Sequence, residues 1–176
     1  IGGFCLPKDP ILFSENLQKN SNYKLGTITN DINKSVTTFF ADKFTKILKN
    51  IKQTKKVLIM GISFKGLPET IDIRNSTSLE IIKKMNRKNI QFHGYDPLGS
   101  KLKKIIKNRD IKILGKKINV NIYDMIIIVN DHPNFYQIIE SQLKENKSNN
   151  KKYIFDTWNK LSVNYIKNLN WQYLKI

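Results

Sequence analysis

The chain is poor in the residues that staple or ligate. Its 176 residues hold one cysteine, two histidines and five prolines. A single cysteine forms no internal disulfide, which makes a reducing cytoplasm the expected compartment. His93 and His132 have no metal-ligand spacing with Cys5, so no metal is expected. The longest apolar run, Met125 to Val129, is far short of the roughly 18 residues a membrane helix needs. No charged-then-apolar leader follows Ile1, so neither membrane nor secretion is expected. Carboxylates are scarce as well: 14 against 31 Lys and Arg give a formal net charge of +17. Nucleic acid is the obvious partner for such a charge. The lysines are scattered through every segment, however, and Asn and Ile are also abundant, as in products of AT-rich coding sequence. A solvated basic surface is therefore expected, with no nucleic-acid site but a long-range pull on phosphorylated ligands.

What is present reads as globular, with 40% hydrophobic and 10% aromatic residues. Residues 1 to 24 read as a turn, a short helix from about Asp9 to Lys19, and a polar Asn-Ser-Asn loop. Ile28, Ile32, Val36, Phe39, Phe40, Phe44, Ile47, Leu48 and Ile51 then recur every three or four positions. That spacing predicts a long helix with one broad apolar face, capped by Thr29 or Asn30. Such a face packs within its own chain or forms a dimer interface, and periodicity alone does not choose. From Lys55 the pattern alternates. Val57 to Met60 is a buried strand ending at Gly61, and Asn75 to Lys88 is helical, with Thr77 and Glu80 placed as a capping box. Strands follow at Ile90 to Tyr95, Ile111 to Leu114, Asp124 to Val129 and Tyr153 to Asp156. Helices are expected over Ser100 to Lys107, Phe135 to Leu143 and Val163 to Asn168. The result is an α/β fold: a Rossmann-like open parallel sheet over 55–176, preceded over 1–54 by a helical segment with a long central helix. In such sheets ligands bind beyond the carboxyl ends of the strands. Here those ends are Gly61 to Lys65, Asp96-Pro97, Asn130 to Pro133 and Asp156 to Asn159.

Two short runs can carry chemistry. In Gly2-Gly3-Phe4-Cys5-Leu6-Pro7-Lys8-Asp9, an ammonium near the thiol favours the nucleophilic thiolate, and a carboxylate can take a proton from water. A lone cysteine is more commonly a buried structural residue, and composition alone favours that reading; the Gly-Gly lead-in and the Lys-Asp pair shift the balance without settling it. In Gly61-Ile62-Ser63-Phe64-Lys65-Gly66, a strand-ending turn can present N–H groups and an ammonium to a phosphate. It is neither a Walker A loop nor a Gly-x-Gly-x-x-Gly fingerprint, and an ordinary turn with a solvated lysine weighs equally. Asp72 and Arg74 most simply pair with each other or cap the following helix, although Arg74 could equally clamp a carboxylate or phosphate. His132 reads as a loop-ordering residue. Asp156-Thr157-Trp158-Asn159 either lines a pocket or caps the helix after it.

Taken together these motifs resemble the UDP-glucose/GDP-mannose dehydrogenase family, the nucleotide-sugar 6-dehydrogenases. Gly-Gly-x-Cys-x-x-Lys-Asp at 2–9 is similar to its catalytic-cysteine motif. Gly-x-x-Phe-Lys at 61–65, with Asp72-x-Arg74-x-Ser76, is similar to the opening of its UDP-binding C-terminal domain. Tyr95-Asp96-Pro97, Asp131-His132-Pro133 and Phe155-Asp156-x-x-Asn159 follow in the family's order. The resemblance implies oxidation of a sugar C6 alcohol to a carboxylate with two NAD, through a cysteine thiohemiacetal and thioester. It implies Cys5, Lys8 and Asp9 as catalytic residues, Phe64, Lys65 and Arg74 as substrate-binding, and Lys8 and Arg74 as cofactor contacts. It also implies a homodimer through the helix at 25–51. The family's N-terminal NAD domain has no counterpart in these residues, so the chain is expected neither to bind NAD in the usual way nor to turn over alone. Gly66 to Ile71 departs from the family's polar stretch ending in two aspartates. Pro10 after Asp9 leaves UDP-glucose, UDP-N-acetylhexosamines and GDP-mannose open as substrates. A stand-alone, non-catalytic nucleotide-sugar-binding module is the alternative.

Overall fold

The computed structural model describes residues 2–3, 5–18, 24–49, 55–85, 89–107, 110–115 and 117–174. Phe4, the 20–23 loop and Ile51 lie outside them. Two helices come first, α1 (Cys5–Gln18) and α2 (Leu25–Lys49). Strands and helices then alternate: β1 (Lys55–Met60), α3 (Thr77–Met85), β2 (Ile90–Tyr95), α4 (Gly99–Ile105), β3 (Ile111–Ile113), β4 (Met125–Ile128), α5 (Pro133–Gln142), β5 (Lys152–Asp156), α6 (Val163–Asn168) and β6 (Trp171–Leu174). The six strands form one sheet in the order β3-β2-β1-β4-β5-β6, with every pair parallel.

Period-two alternation along β1 explains the layering. Val57 and Ile59 point to one face, where they pack with Phe44 and Leu48 of α2 and Ile81, Ile82 and Met85 of α3. Leu58 and Met60 point to the other, against Phe135 and Ile139 of α5, Ile166 of α6 and Trp171. All four of these β1 residues are fully buried. Placing Val57 opposite both Phe92 and Met125 fixes the register and brings the ends of β1, β2 and β4 to one edge.

The long helix spans Leu25–Lys49, and its halves differ. Phe44 is wholly buried and Leu48 nearly so, whereas Ile28, Ile32 and Phe39 are 53%, 57% and 61% exposed. Phe40 and Phe44 anchor the buried half on the Phe155 ring of β5, at centroid separations of 5.0 and 4.8 Å.

Several boundaries differ from the sequence reading. The first helix begins at Cys5, not near Asp9, and contains Pro10. Pro7 lies in its first turn, where a missing N–H costs nothing, so the helix extends back past the expected start near Asp9. Neither Thr29 nor Asn30 caps α2. The Gly26 N–H instead donates to the buried Ser14 hydroxyl of α1 at 2.7 Å, and the Thr29 hydroxyl bonds back to the Gly26 carbonyl. Ser76, not Thr77, caps α3, accepting from the Leu79 N–H at 3.4 Å. A last strand, β6, lies beyond the sequence assignments.

Candidate active site

The turn after β1 is held by side chains from elsewhere. Gly61 has φ +92°, and a Cβ there would come within 2.6 Å of the Asn130 side chain, so only glycine fits. One carboxylate oxygen of Asp96 accepts the N–H groups of Ile62 (3.0 Å) and Ser63 (3.2 Å) and the Ser63 hydroxyl (2.9 Å). The Asn130 amide donates to the Ser63 carbonyl at 2.7 Å. Ser76 and Ser78 donate their hydroxyls to the carbonyls of Ile62 and Gly61. The N–H of Phe64 reaches the Asp72 carbonyl at 3.0 Å. With its backbone so engaged, the turn presents Phe64 and Lys65, and the Lys65 ammonium lies 5.3 Å from the centroid of the Phe64 ring.

Both residues line a cleft of about 670 Å³ beyond the ends of β1, β4 and β5. Asn130, Asp131, Thr157 and Trp158 come from the β4 and β5 ends. Val36 and Phe40 of α2, Ile81 of α3 and Phe155 make much of the rest apolar. Of the four strand ends expected to meet ligand, Asp96-Pro97 does not line the cleft, because the Asp96 carboxylate is turned inward onto the β1 turn.

The amino-terminal run is stitched to this site. Gly3 donates its N–H to the Arg74 carbonyl (3.1 Å) and accepts from the Asn75 amide (2.8 Å). A Cβ on Gly2 would meet the Asn75 carbonyl at 2.4 Å, and one on Gly3 would meet the Phe64 ring at 3.0 Å. Two glycines in succession therefore let the chain pass between Phe64 and Asn75. Gly2 and Leu6, on either side of Cys5, line the cleft; Cys5, Lys8, Asp9 and Arg74 do not. Cys5 is exposed at the start of α1, so it is not the buried structural cysteine that composition allows. Lys8 and Asp9 lie 3.2 Å apart on the first turns of the same helix.

Asp72 and Arg74 do pair, through bonds from Nε (3.0 Å) and Nη2 (2.6 Å). The guanidinium's hydrogen bond lowers the Asp72 pKa to about 2. The Arg74 pKa is raised in turn, chiefly by its hydrogen bond to Asp72. His132 orders its loop: Nδ1 accepts from the Asn134 N–H at 3.2 Å and caps α5, while Nε2 faces Glu69 at 3.1 Å. Asp156 is fully buried and accepts the N–H groups of Trp158, Lys160 and Leu161. The last motif thus divides its work: Asp156 holds the turn, and Thr157 and Trp158 face the cleft. Among the described residues no cluster of His, Cys, Asp and Glu could hold a metal, and no helix is long and apolar enough to cross a membrane.

A parallel sheet wound on both faces, with its cleft beyond the strand ends where the order reverses between β1 and β4, defines a Rossmann-like α/β domain of the nucleotide-binding type. A family model described as "UDP-glucose/GDP-mannose dehydrogenase family, UDP binding domain" matches residues 58–163. The chain belongs to that family. The UDP-N-acetyl-D-mannosamine dehydrogenase of Pyrococcus horikoshii is 28% identical over 145 residues, covering 78% of this chain and 30% of that protein. The UDP-glucose 6-dehydrogenase of Rickettsia bellii is 31% identical over 139 residues, covering 76% of this chain and 31% of that protein. A solved structure of the UDP-D-ManNAc dehydrogenase from Pyrococcus horikoshii matches all of this chain and 38% of its own, with a TM-score of 0.67 at 26% identity. The chain thus spans about a third of the length of these relatives.

Proposed function

We propose that this chain supplies the catalytic-cysteine segment, the linking helix and the nucleotide-sugar-binding domain of an NAD-dependent nucleotide-sugar 6-dehydrogenase, acting on a UDP-sugar. One observation carries the reading: Gly2 and Leu6, which flank Cys5, line the same cleft as Phe64 and Lys65. An ammonium that partners a diphosphate and a thiol that reaches the sugar then belong to one ligand's length. Lys65 neutralises phosphate charge, with its ammonium over the Phe64 ring, and Arg74, held by Asp72, stands beside the Gly2-Gly3 run that leads to Cys5.

In this scheme the Cys5 thiolate adds to the C6 aldehyde carbon. A C–S bond forms, the carbonyl electron pair moves to oxygen, and that oxygen takes a proton. After oxidation the carbon is a thioester. Asp9 takes a proton from the attacking water, the C–S bond breaks, and sulfur departs as thiolate with the carboxylate released. These residues account for capture and release of the carbon, and not for hydride removal. NAD, implied by the family resemblance as hydride acceptor, finds no pyrophosphate cradle in the β1 turn, because Asp96 and Asp72 already engage the N–H groups of Ile62, Ser63 and Phe64. Lys8 and Arg74 are kept as proposed contacts to a cofactor bound mainly elsewhere. The exposed stripe of Leu25, Ile28, Ile32 and Phe39 on α2 supports a homodimer through this helix. The single, unpaired Cys5 fits a reducing cytoplasm.

Calorimetric titration of the chain with UDP, UDP-glucose, GDP-mannose and NAD tests the cleft. Saturable binding of a uridine nucleotide without NAD is expected, and silence from every nucleotide would overturn the assignment. In the longer enzyme that this reading requires, Cys5→Ser should abolish acid formation and leave nucleotide-sugar affinity within about twofold. Intact turnover by that variant would remove Cys5 from the mechanism.

A further inference from the structure

The two tryptophans have opposite environments. Trp171 is 1% exposed within the core, whereas Trp158 is 50% exposed at the end of β5. An indole left half in water forfeits much of the apolar burial it could gain, so its placement calls for a cause. The turn it occupies is held by the Asp156 carboxylate and by the Thr157 hydroxyl bonded to the Ile128 carbonyl at 2.9 Å.

The ring is nevertheless fixed at both ends. Its backbone N–H donates to Asp156 at 3.0 Å, and its indole N–H donates to the Val129 carbonyl at 3.1 Å. The next residue, Asn159, is in the left-handed region with φ 52°, which sets the direction of the chain beyond it. With its one polar atom used, the indole has only its apolar π surface to offer, and Trp158 lines the cleft that also holds Lys65. Val36, Phe40 and Phe155 make part of the same lining apolar, while Asn33, Thr37, Asn130, Asp131 and Thr157 supply polar groups to the rest of it.

We propose that Trp158 is the stacking platform for the nucleobase of the bound nucleotide, with Lys65 taking the phosphates. This rests on the nucleotide reading of the cleft. A planar heterocycle satisfies a rigid aromatic face without needing further donors, and the loss of such a contact weakens binding measurably.

The test uses the 176-residue chain, UDP and UDP-glucose, and two readouts. Acrylamide quenching of tryptophan fluorescence reports on Trp158, because Trp171 is buried. Saturating UDP is expected to shield the quenchable fraction. Calorimetry should show UDP binding weakened about tenfold in Trp158→Ala, and within about threefold of the parent in Trp158→Phe, which keeps a π face. Unchanged UDP affinity in Trp158→Ala, with the indole still quenched at saturation, would overturn the platform and leave the nucleotide site standing. Shielding and weakening seen with UDP-glucose but not with UDP would overturn it in favour of a sugar contact. Absence of UDP binding to the parent chain would end both readings together. If Trp158→Ala melts early, Trp158→Phe and the shielding experiment still decide.

Discussion

Phe39 and Phe44 lie five positions apart on one helix, with similar local sequence and the same aromatic side chain. One is 61% exposed and the other is completely buried. The carboxyl-terminal half of α2 docks on the sheet, where Phe44 meets Phe155 and Leu48 joins the core around Val57 and Met85. The side that carries Leu25, Ile28, Ile32 and Phe39 is left open, while Gly26 is buried against Ser14 of α1. A continuous helical period therefore serves two surfaces. Five residues turn a helix by about 500°, so the two rings point about 140° apart around the axis, and only the tertiary structure shows which of those sides the chain itself covers.

The division can be broken deliberately. Phe44→Ala should cost about 3–5 kcal/mol in a denaturant unfolding experiment, through lost transfer energy and the cavity left against Phe155. A cost below about 1 kcal/mol would mean that the buried half is not anchored. Gly26→Ala should cost about 1–3 kcal/mol, since its Cβ would fall 1.8 Å from the Pro10 carbonyl oxygen. The same experiment reads it, with α1 and α2 expected to separate at their crossing. Phe39→Asp should leave the monomer's stability within about 0.5 kcal/mol and shift sedimentation from dimer to monomer. A variant that still sediments as a dimer would move the interface off this stripe. Lys65→Ala should weaken UDP about tenfold with an unchanged melting temperature; unchanged affinity would make Lys65 a merely solvated cation.

The smallest effect sharpens the electrostatics beside Cys5. Asp72, lowered to about 2 from the ordinary 3.8 by Arg74, is more readily ionised folded than unfolded. Its contribution is therefore present above about pH 4 and fades as the pH falls towards 2. Carbon-detected NMR of the Asp72 carboxyl should find its midpoint near 2, and Arg74→Ala should return it towards 3.8. A midpoint already at 3.8 in the parent would break the pair.

Much of this architecture was legible in the sequence. Val57 to Met60 and Met125 to Ile128 are apolar without interruption, as strands covered on both faces must be, and the stops at Gly61 and at Asn130 to Pro133 mark their ends. The edge strand β6 was not, because only Trp171 is buried among its four residues and so short a run has no period to detect. The start of α1 was obscured by Pro10, which lies inside the helix. Within the site, the turn bearing Phe64 and Lys65 was legible from a strand running into glycine. The contributions of Val36 and Phe40 were not, since nothing local says that α2 crosses the ends of β4 and β5. Asp96 carried a strand-end signal, but only its hydrogen bonds show a brace where a ligand contact was expected.

The strand order also has a consequence for synthesis. As the chain leaves the ribosome, β2 joins one edge of β1 and β3 joins β2; β4 then takes the opposite edge of β1, followed outward by β5 and β6. No strand has to wedge between two made before it. Each newcomer finds a finished edge of backbone donors and acceptors as its template, so the sheet can grow in the order in which it is translated. The flank of β1 that β4 will take waits longest, from the appearance of Met60 until Met125 arrives to pair with Val57.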